Sequence, residues 1–177
     1  MISVTGKTWS QQKVNKNLVE KVKQDYGFGD ILSQLIVSRN YDSSEIYSTN
    51  FKQKITNMFK DDDDFKKASL ILLNSIKNSE NICILGDYDV DGTCATSLLI
   101  RYFNHINQKY FFYIPDRVKD GYGASIELFQ KLILKKPKLI IMVDCGSTSN
   151  EPIDFLNKNK IKSIIIDHHE INKPYPK

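Results

Sequence analysis

Cysteine is scarce: Cys83, Cys94 and Cys145 are the only three in 177 residues. An odd number without metal-type spacing excludes a disulfide-stapled scaffold and a zinc ribbon. Each lies in or beside an apolar or small-residue run, so buried free thiols are expected. Glycine (8) and proline (5) are too few for collagen or for low-complexity disorder. No stretch approaches ~18 consecutive apolar residues, so no membrane helix is expected. The N-terminal residues lack the apolar core of a signal peptide. A cytoplasmic protein with no membrane partner is the expectation. Excess charge of one sign is also small: 25 Lys+Arg against 21 Asp+Glu give +4. That balance suits a polyanionic partner and equally an ordinary enzyme.

Apolar residues are plentiful, at 41%, and the length suits one domain with a small appendage, burying roughly two-thirds of its unfolded surface. The pattern divides the chain near residue 80, into a mostly helical region 1–79 and a region 80–177. Residues 31–37 read as one helix. Phe65, Ala68, Leu72, Leu73 and Ile76 give helical spacing over 65–76. The aspartates at 61–64 just before them read as a solvated helix start, where carboxylates are favoured, in preference to a metal cluster.

Beyond residue 80 short apolar runs alternate with helical stretches. Residues 82–85, 111–114, 139–143 and 163–166 read as strands, and 96–103, 125–134 and 151–158 as helices. Strands without polar alternation, separated by helices, indicate a parallel sheet covered on both faces. The fold class is α/β, a doubly wound parallel sheet.

Three polar clusters follow three of these strands: Gly86-Asp87-Tyr88-Asp89-Val90-Asp91-Gly92-Thr93, then Asp144-Cys145-Gly146-Ser147, then Asp167-His168-His169-Glu170. The carboxyl ends of parallel strands share one edge, where ligands bind. Five aspartates and two histidines are therefore brought toward one crevice. One aspartate at a strand end is an ordinary helix cap, but several packed together repel one another unless a cation neutralises them. Oxygen ligands with imidazole suit Mn²⁺ or Mg²⁺ better than structural zinc. Such a site can hold two ions that activate water and stabilise a phosphoryl group under attack.

The first cluster also opens like an EF-hand loop. Its twelfth position from Asp87 is Leu98 where that loop needs glutamate, which excludes it. Asp89-Val90-Asp91-Gly92-Thr93 resembles the nucleophile motif of haloacid-dehalogenase phosphatases, a reading that leaves Asp144 and both histidines without work. A fourth segment, Pro115-Asp116-Arg117-Val118-Lys119-Asp120-Gly121-Tyr122-Gly123, also follows a strand. Arg117 can grip phosphate bidentately, Gly121 and Gly123 permit close backbone approach, and Tyr122 can stack on a base or sugar. A plain surface turn accounts for the segment equally well.

Together, in this order and spacing, the four segments resemble the DHH phosphoesterases, and within them the RecJ family of bacterial single-stranded-DNA exonucleases. Trp9, residues 35–39 and the helix leading into the first cluster resemble that family's entry region. The resemblance implies a nuclease that hydrolyses single-stranded DNA 5′ to 3′, releases 5′-mononucleotides with two Mn²⁺ or Mg²⁺ ions, and serves DNA repair and recombination. It implies Asp87, Asp89, Asp91, Asp144 and His168 as metal ligands, with Asp144 shared between the ions. His169 would face the scissile phosphate, and Asp167 would orient the histidine pair. Arg117, Gly121, Tyr122 and Gly123 would hold the nucleotide. There are departures: Leu85 stands where related enzymes carry a histidine slightly earlier than Asp87, and Asn40 stands where glycine is common. The family continues well past the double histidine, with a further ligand aspartate, a second domain and a strand-binding module. The chain therefore reads as the N-terminal part of such an enzyme, its DHH domain truncated. Competing readings are a DHH phosphodiesterase acting on short oligonucleotides or cyclic dinucleotides, and a non-catalytic DNA-binding remnant.

Overall fold

A computed structural model describes residues 3–8, 10, 12–42, 45–46, 59–121, 123–170 and 175–176. Trp9 and Tyr122, both singled out from the sequence, lie outside them. The chain forms two compact units, 1–60 and 61–177.

The first unit contains α1 (Lys16–Tyr26) and α2 (Asp30–Ser38). Asn15 caps α1, its side chain accepting from the Asn17 and Leu18 N–H groups, and Gly27 ends it at φ +69°. Lys23 joins the helices through Asp30 at 2.6 Å. Val19, Ser33 and Ile36 are buried. Asn40 ends α2 at φ +54°, donating to Val37 O while Tyr41 donates to Ile36 O. Asparagine is the residue after glycine that best tolerates this left-handed stop, so its presence at a position where glycine is common leaves the turn intact.

The second unit runs α3 (Asp63–Lys77), β1 (Ile82–Gly86), α4 (Val90–His105), β2 (Tyr110–Tyr113), α5 (Ile126–Ile133), β3 (Leu139–Val143), α6 (Asn150–Lys158), β4 (Lys162–Ile166). All pairings are parallel, in the order β2-β1-β3-β4. The α/β doubly wound reading holds. Asp62 caps α3, accepting from Phe65 N–H at 2.7 Å, and Asp63 and Asp64 occupy its first turn, where carboxylates complement the helix dipole.

Both central strands feed two cores. Cys83, Leu85, Ile140 and Met142 point into one, with Phe129 and Leu132 of α5 and Ile153 and Leu156 of α6. Ile82, Ile84, Leu139, Ile141 and Val143 point into the other, with Phe103 of α4 and the apolar stripe of α3. This double burial is why β1 and β3 read as unbroken apolar runs. Helix α3, grouped from sequence with the N-terminal region, thus lies on the sheet.

The cysteine expectation needs one correction. Cys83 and Cys145 are buried, but Cys94 is exposed on α4. The helix begins at Val90, inside the polar cluster, so the small residues around Cys94 do not mark a core position.

Candidate metal centre

From β1 the chain steps to β2 on one side, then returns to β3 on the other. The crevice of such a sheet opens at this reversal, beyond the carboxyl ends of β1 and β3. Asp87 follows β1 and Asp144 follows β3, so both flank it. Asp87 is 3% and Asp144 6% exposed.

Local structure fixes each carboxylate. Asp89 caps α4, accepting from Gly92 N–H at 3.0 Å, and that contact holds its carboxyl below the ordinary range. Gly92 lies against the Asp87 backbone: a Cβ there would sit 2.5 Å from the Asp87 carbonyl oxygen. A Cβ on Gly86 would collide with the Thr96 hydroxyl. The two glycines let the helix start press on the loop carrying the aspartates. Asp144 takes φ +61° and donates its N–H to Ile166 O at 2.8 Å, which ties the ends of β3 and β4 together.

Asp87, Asp89 and Asp144 bring one carboxylate oxygen each within 4.8 Å of one another, and Asp144 forms a second such group with His168 and His169. His168 Nε2 is 3.1 Å from Asp144 Oδ1. Asp144 Oδ2 is buried and accepts no hydrogen bond from the described residues. Burial pushes the Asp144 carboxyl above its ordinary range, and the Asp89 charge pushes it further. A buried, orphaned oxygen amid like charges fits a cation, which removes both costs.

The histidines differ in their partners. His169 Nδ1 is 2.7 Å from Asp167 Oδ1, and this contact raises its pKa. Asp167 also accepts from the backbone N–H groups of Ser147 at 3.1 Å and His169 at 3.2 Å. Burial opposes its charged form, but these hydrogen bonds win and hold the carboxyl down at about 2. A carboxylate so fixed makes His169 Nδ1 the protonated nitrogen and leaves Nε2 for other work.

Asp91 is exposed in the first turn of α4, outside both groups. Arg117 is exposed, its guanidinium carbon 5.6 Å from the Tyr88 ring centre, a cation–π contact. Its loop is organised by Asp120, which accepts from Tyr113 Oη at 2.6 Å, from Asp116 N–H at 3.0 Å and from Lys131 Nζ at 3.3 Å. Gly121 and Gly123 take φ +79° and +71°. Gly123, residues 146–152, Asp167 and His169 line a cavity of about 630 Å³ beside the centre. Sequence reasoning missed Tyr88, Ser147 and the ordering role of Asp120. Tyr88 stood in plain view between two predicted ligands, whereas backbone donors leave no mark in a sequence.

The model of the DHH family, N-terminal domain, matches residues 81–177. Over 173 residues the chain is 28% identical to the single-stranded-DNA-specific exonuclease RecJ of Bacillus subtilis, covering 95% of this chain and 22% of that protein. A crystal structure of exonuclease RecJ bound to manganese superposes with a TM-score of 0.59 at 31% identity, over 63% of this chain and 29% of the other. That of RecJ in complex with Mn²⁺ from Thermus thermophilus gives 0.59 at 21% identity, over 92% of this chain and 22% of the other. The chain therefore spans about a fifth of the curated relative's length.

Proposed function

This chain belongs to the DHH family, and from that membership we propose that it is the metal-binding part of a single-stranded-DNA exonuclease. The observation that carries the reading is Asp144, a buried carboxylate with an orphaned oxygen, shared between an aspartate pair and a histidine pair. Asp87, Asp89, Asp144 and His168 would hold divalent cations, Mn²⁺ or Mg²⁺, with Asp144 common to both positions. When bound, such ions lower the pKa of water and neutralise charge at a phosphoryl group.

The chain's own residues do the rest. Asp167 orients His169 through Nδ1, and the same contact favours the charged form of the ring. His169 Nε2–H then donates to a non-bridging oxygen of the scissile phosphate, where charge grows in the transition state. Arg117, carried over Tyr88, offers a planar fork to the adjacent phosphate. The cavity beside His169 admits the terminal nucleotide. Convergence of Asp144 on the first cluster, and of both histidines on Asp144, is what favours this reading over the haloacid-dehalogenase one. Polarity of 5′ to 3′, release of 5′-mononucleotides, and a role in repair and recombination follow from likeness to RecJ.

Single-stranded DNA labelled at either end, incubated with the chain and Mn²⁺ beside an Asp89→Ala control, tests this. Labelled mononucleotide released from the 5′ end and lost in the control is expected. Release from the 3′ end, or release that persists in Asp89→Ala, would contradict the proposal.

A further inference from the structure

At the sheet edge opposite the metal centre, the turns from helix to strand are basic. Lys135, Lys136 and Lys138 lie between α5 and β3, and Lys158, Lys160 and Lys162 between the end of α6 and the start of β4. All six are exposed. Lys162 N–H donates to Lys138 O at 3.1 Å, so the two turns are neighbours. Between them runs a groove of about 610 Å³ with Lys136, Lys138 and Lys160 on its rim and Leu134, Pro137 and Ile161 on its wall. No described carboxylate lines it. Lys162 is paired with Glu80 at 3.8 Å, and the Lys135 ammonium sits over the Phe111 ring. Among the described residues the three rim lysines have no such partner. Leu134 is 79% exposed.

Backbone conformation adds a second observation. Lys136 and Lys160 take φ +53° and +57°, at helix stops that glycine fills with less strain. Both positions carry positive charge to the groove despite that strain.

We propose that this groove docks an extended acidic peptide segment of another protein, the lysines meeting its carboxylates and the apolar wall taking a leucine-like side chain. Nucleic acid fits less well. Among the described residues the groove's lining holds no arginine fork for phosphate and no aromatic face for a base, and its apolar wall gives nothing to a phosphodiester. Burial of an apolar side chain at the centre with charges around it is the usual anatomy of a peptide site.

The test is fluorescence anisotropy of a labelled peptide of alternating aspartate and leucine, titrated with the 177-residue chain. Comparators are an aspartate–serine peptide and an oligothymidylate. The principal variant is Lys136→Gly with Lys160→Gly, which removes both charges and relaxes both turns, so lost affinity does not report lost folding. Leu134→Ser, at an exposed site, is the second. Saturable binding of the aspartate–leucine peptide is expected, weakened at least about tenfold by either variant and weaker for the aspartate–serine peptide. The proposal is overturned by absence of saturable binding up to ~1 mM or by equal binding to the variants. Equal affinity for the serine peptide, or tighter oligothymidylate binding lost in the same variants, overturns it as well. None of these outcomes depends on the metal centre.

Discussion

His169 and Asp167 form a pair whose charge state links the site to folding. The partner raises the imidazole pKa, so the histidine stabilises the fold fully below its unfolded pKa of about 6.5, and that contribution is lost as pH rises through the folded value. In EDTA, the melting temperature is expected to fall as pH rises above about 6.5, and His169→Gln to flatten that slope. Asp167, held at about 2, acts at the acid end, its contribution present above the ordinary carboxylate range and lost as pH falls toward 2. The cysteines give a second residue-scale test. Burial pushes the Cys83 and Cys145 thiols up to about 12, while Cys94 is exposed. A disulfide exchange reagent should titrate one thiol rapidly in the folded chain and all three after denaturation. At this scale the sequence made the three polar clusters legible, because each follows an apolar run. Asp91 is the second residue of α4, whose cap is Asp89, and stands outside both groups of converging ligand atoms.

Helix α4 shows what an element contributes. Its first turn is pressed against the Asp87 backbone through Gly92, so Gly92→Ala must move either the helix or the loop that carries the aspartates. A loss of about 1–3 kcal/mol is expected from chemical denaturation, as for overpacking elsewhere. The helix stops at the opposite edge share another device. Ser79, Asn107, Lys136 and Lys160 all have φ between +50° and +57°. For α3, α4 and α6 the next residue donates back to the helix in a 6→1 bond, as Glu80 does to Ser75 O. Ser79→Gly should raise stability by about 0.5–1 kcal/mol, read as a melting temperature higher by a few degrees. The central strands β1 and β3 were legible because alternate residues enter two cores, leaving no polar position. The first turns of α4 were not, since Asp91, Gly92 and Thr93 give no apolar period. Nor was α1, where charged and amide residues outnumber apolar ones and Val19 alone is buried.

On the scale of the molecule, the order β2-β1-β3-β4 places the reversal of the chain between the strands that precede Asp87 and Asp144. Fold class and site were legible together for that reason: the same apolar runs that define the sheet end at the residues that define the crevice. The two-unit division was less legible. Helix α3 carries a stripe suited equally to a helical region or to a sheet face, and only its packing on the core formed by β1 and β3 decides between them. The residues grouped at the candidate metal centre all belong to the second unit, 61–177, and its aspartates are costly without a cation, since the buried Asp144 carboxyl and its neighbour Asp89 repel. Replacing Asp144 by asparagine suits the left-handed backbone there and removes the repulsion, but removes the shared ligand. The decisive measurement is therefore Mn²⁺ titration followed by electron paramagnetic resonance, on the unmodified chain and on Asp144→Asn. Saturable binding that weakens at least about tenfold in the variant, with thermal stability in EDTA equal or higher, is the expected result. Binding of equal strength in both proteins, or none in the unmodified chain, would contradict the assignment of Asp144 to a metal centre.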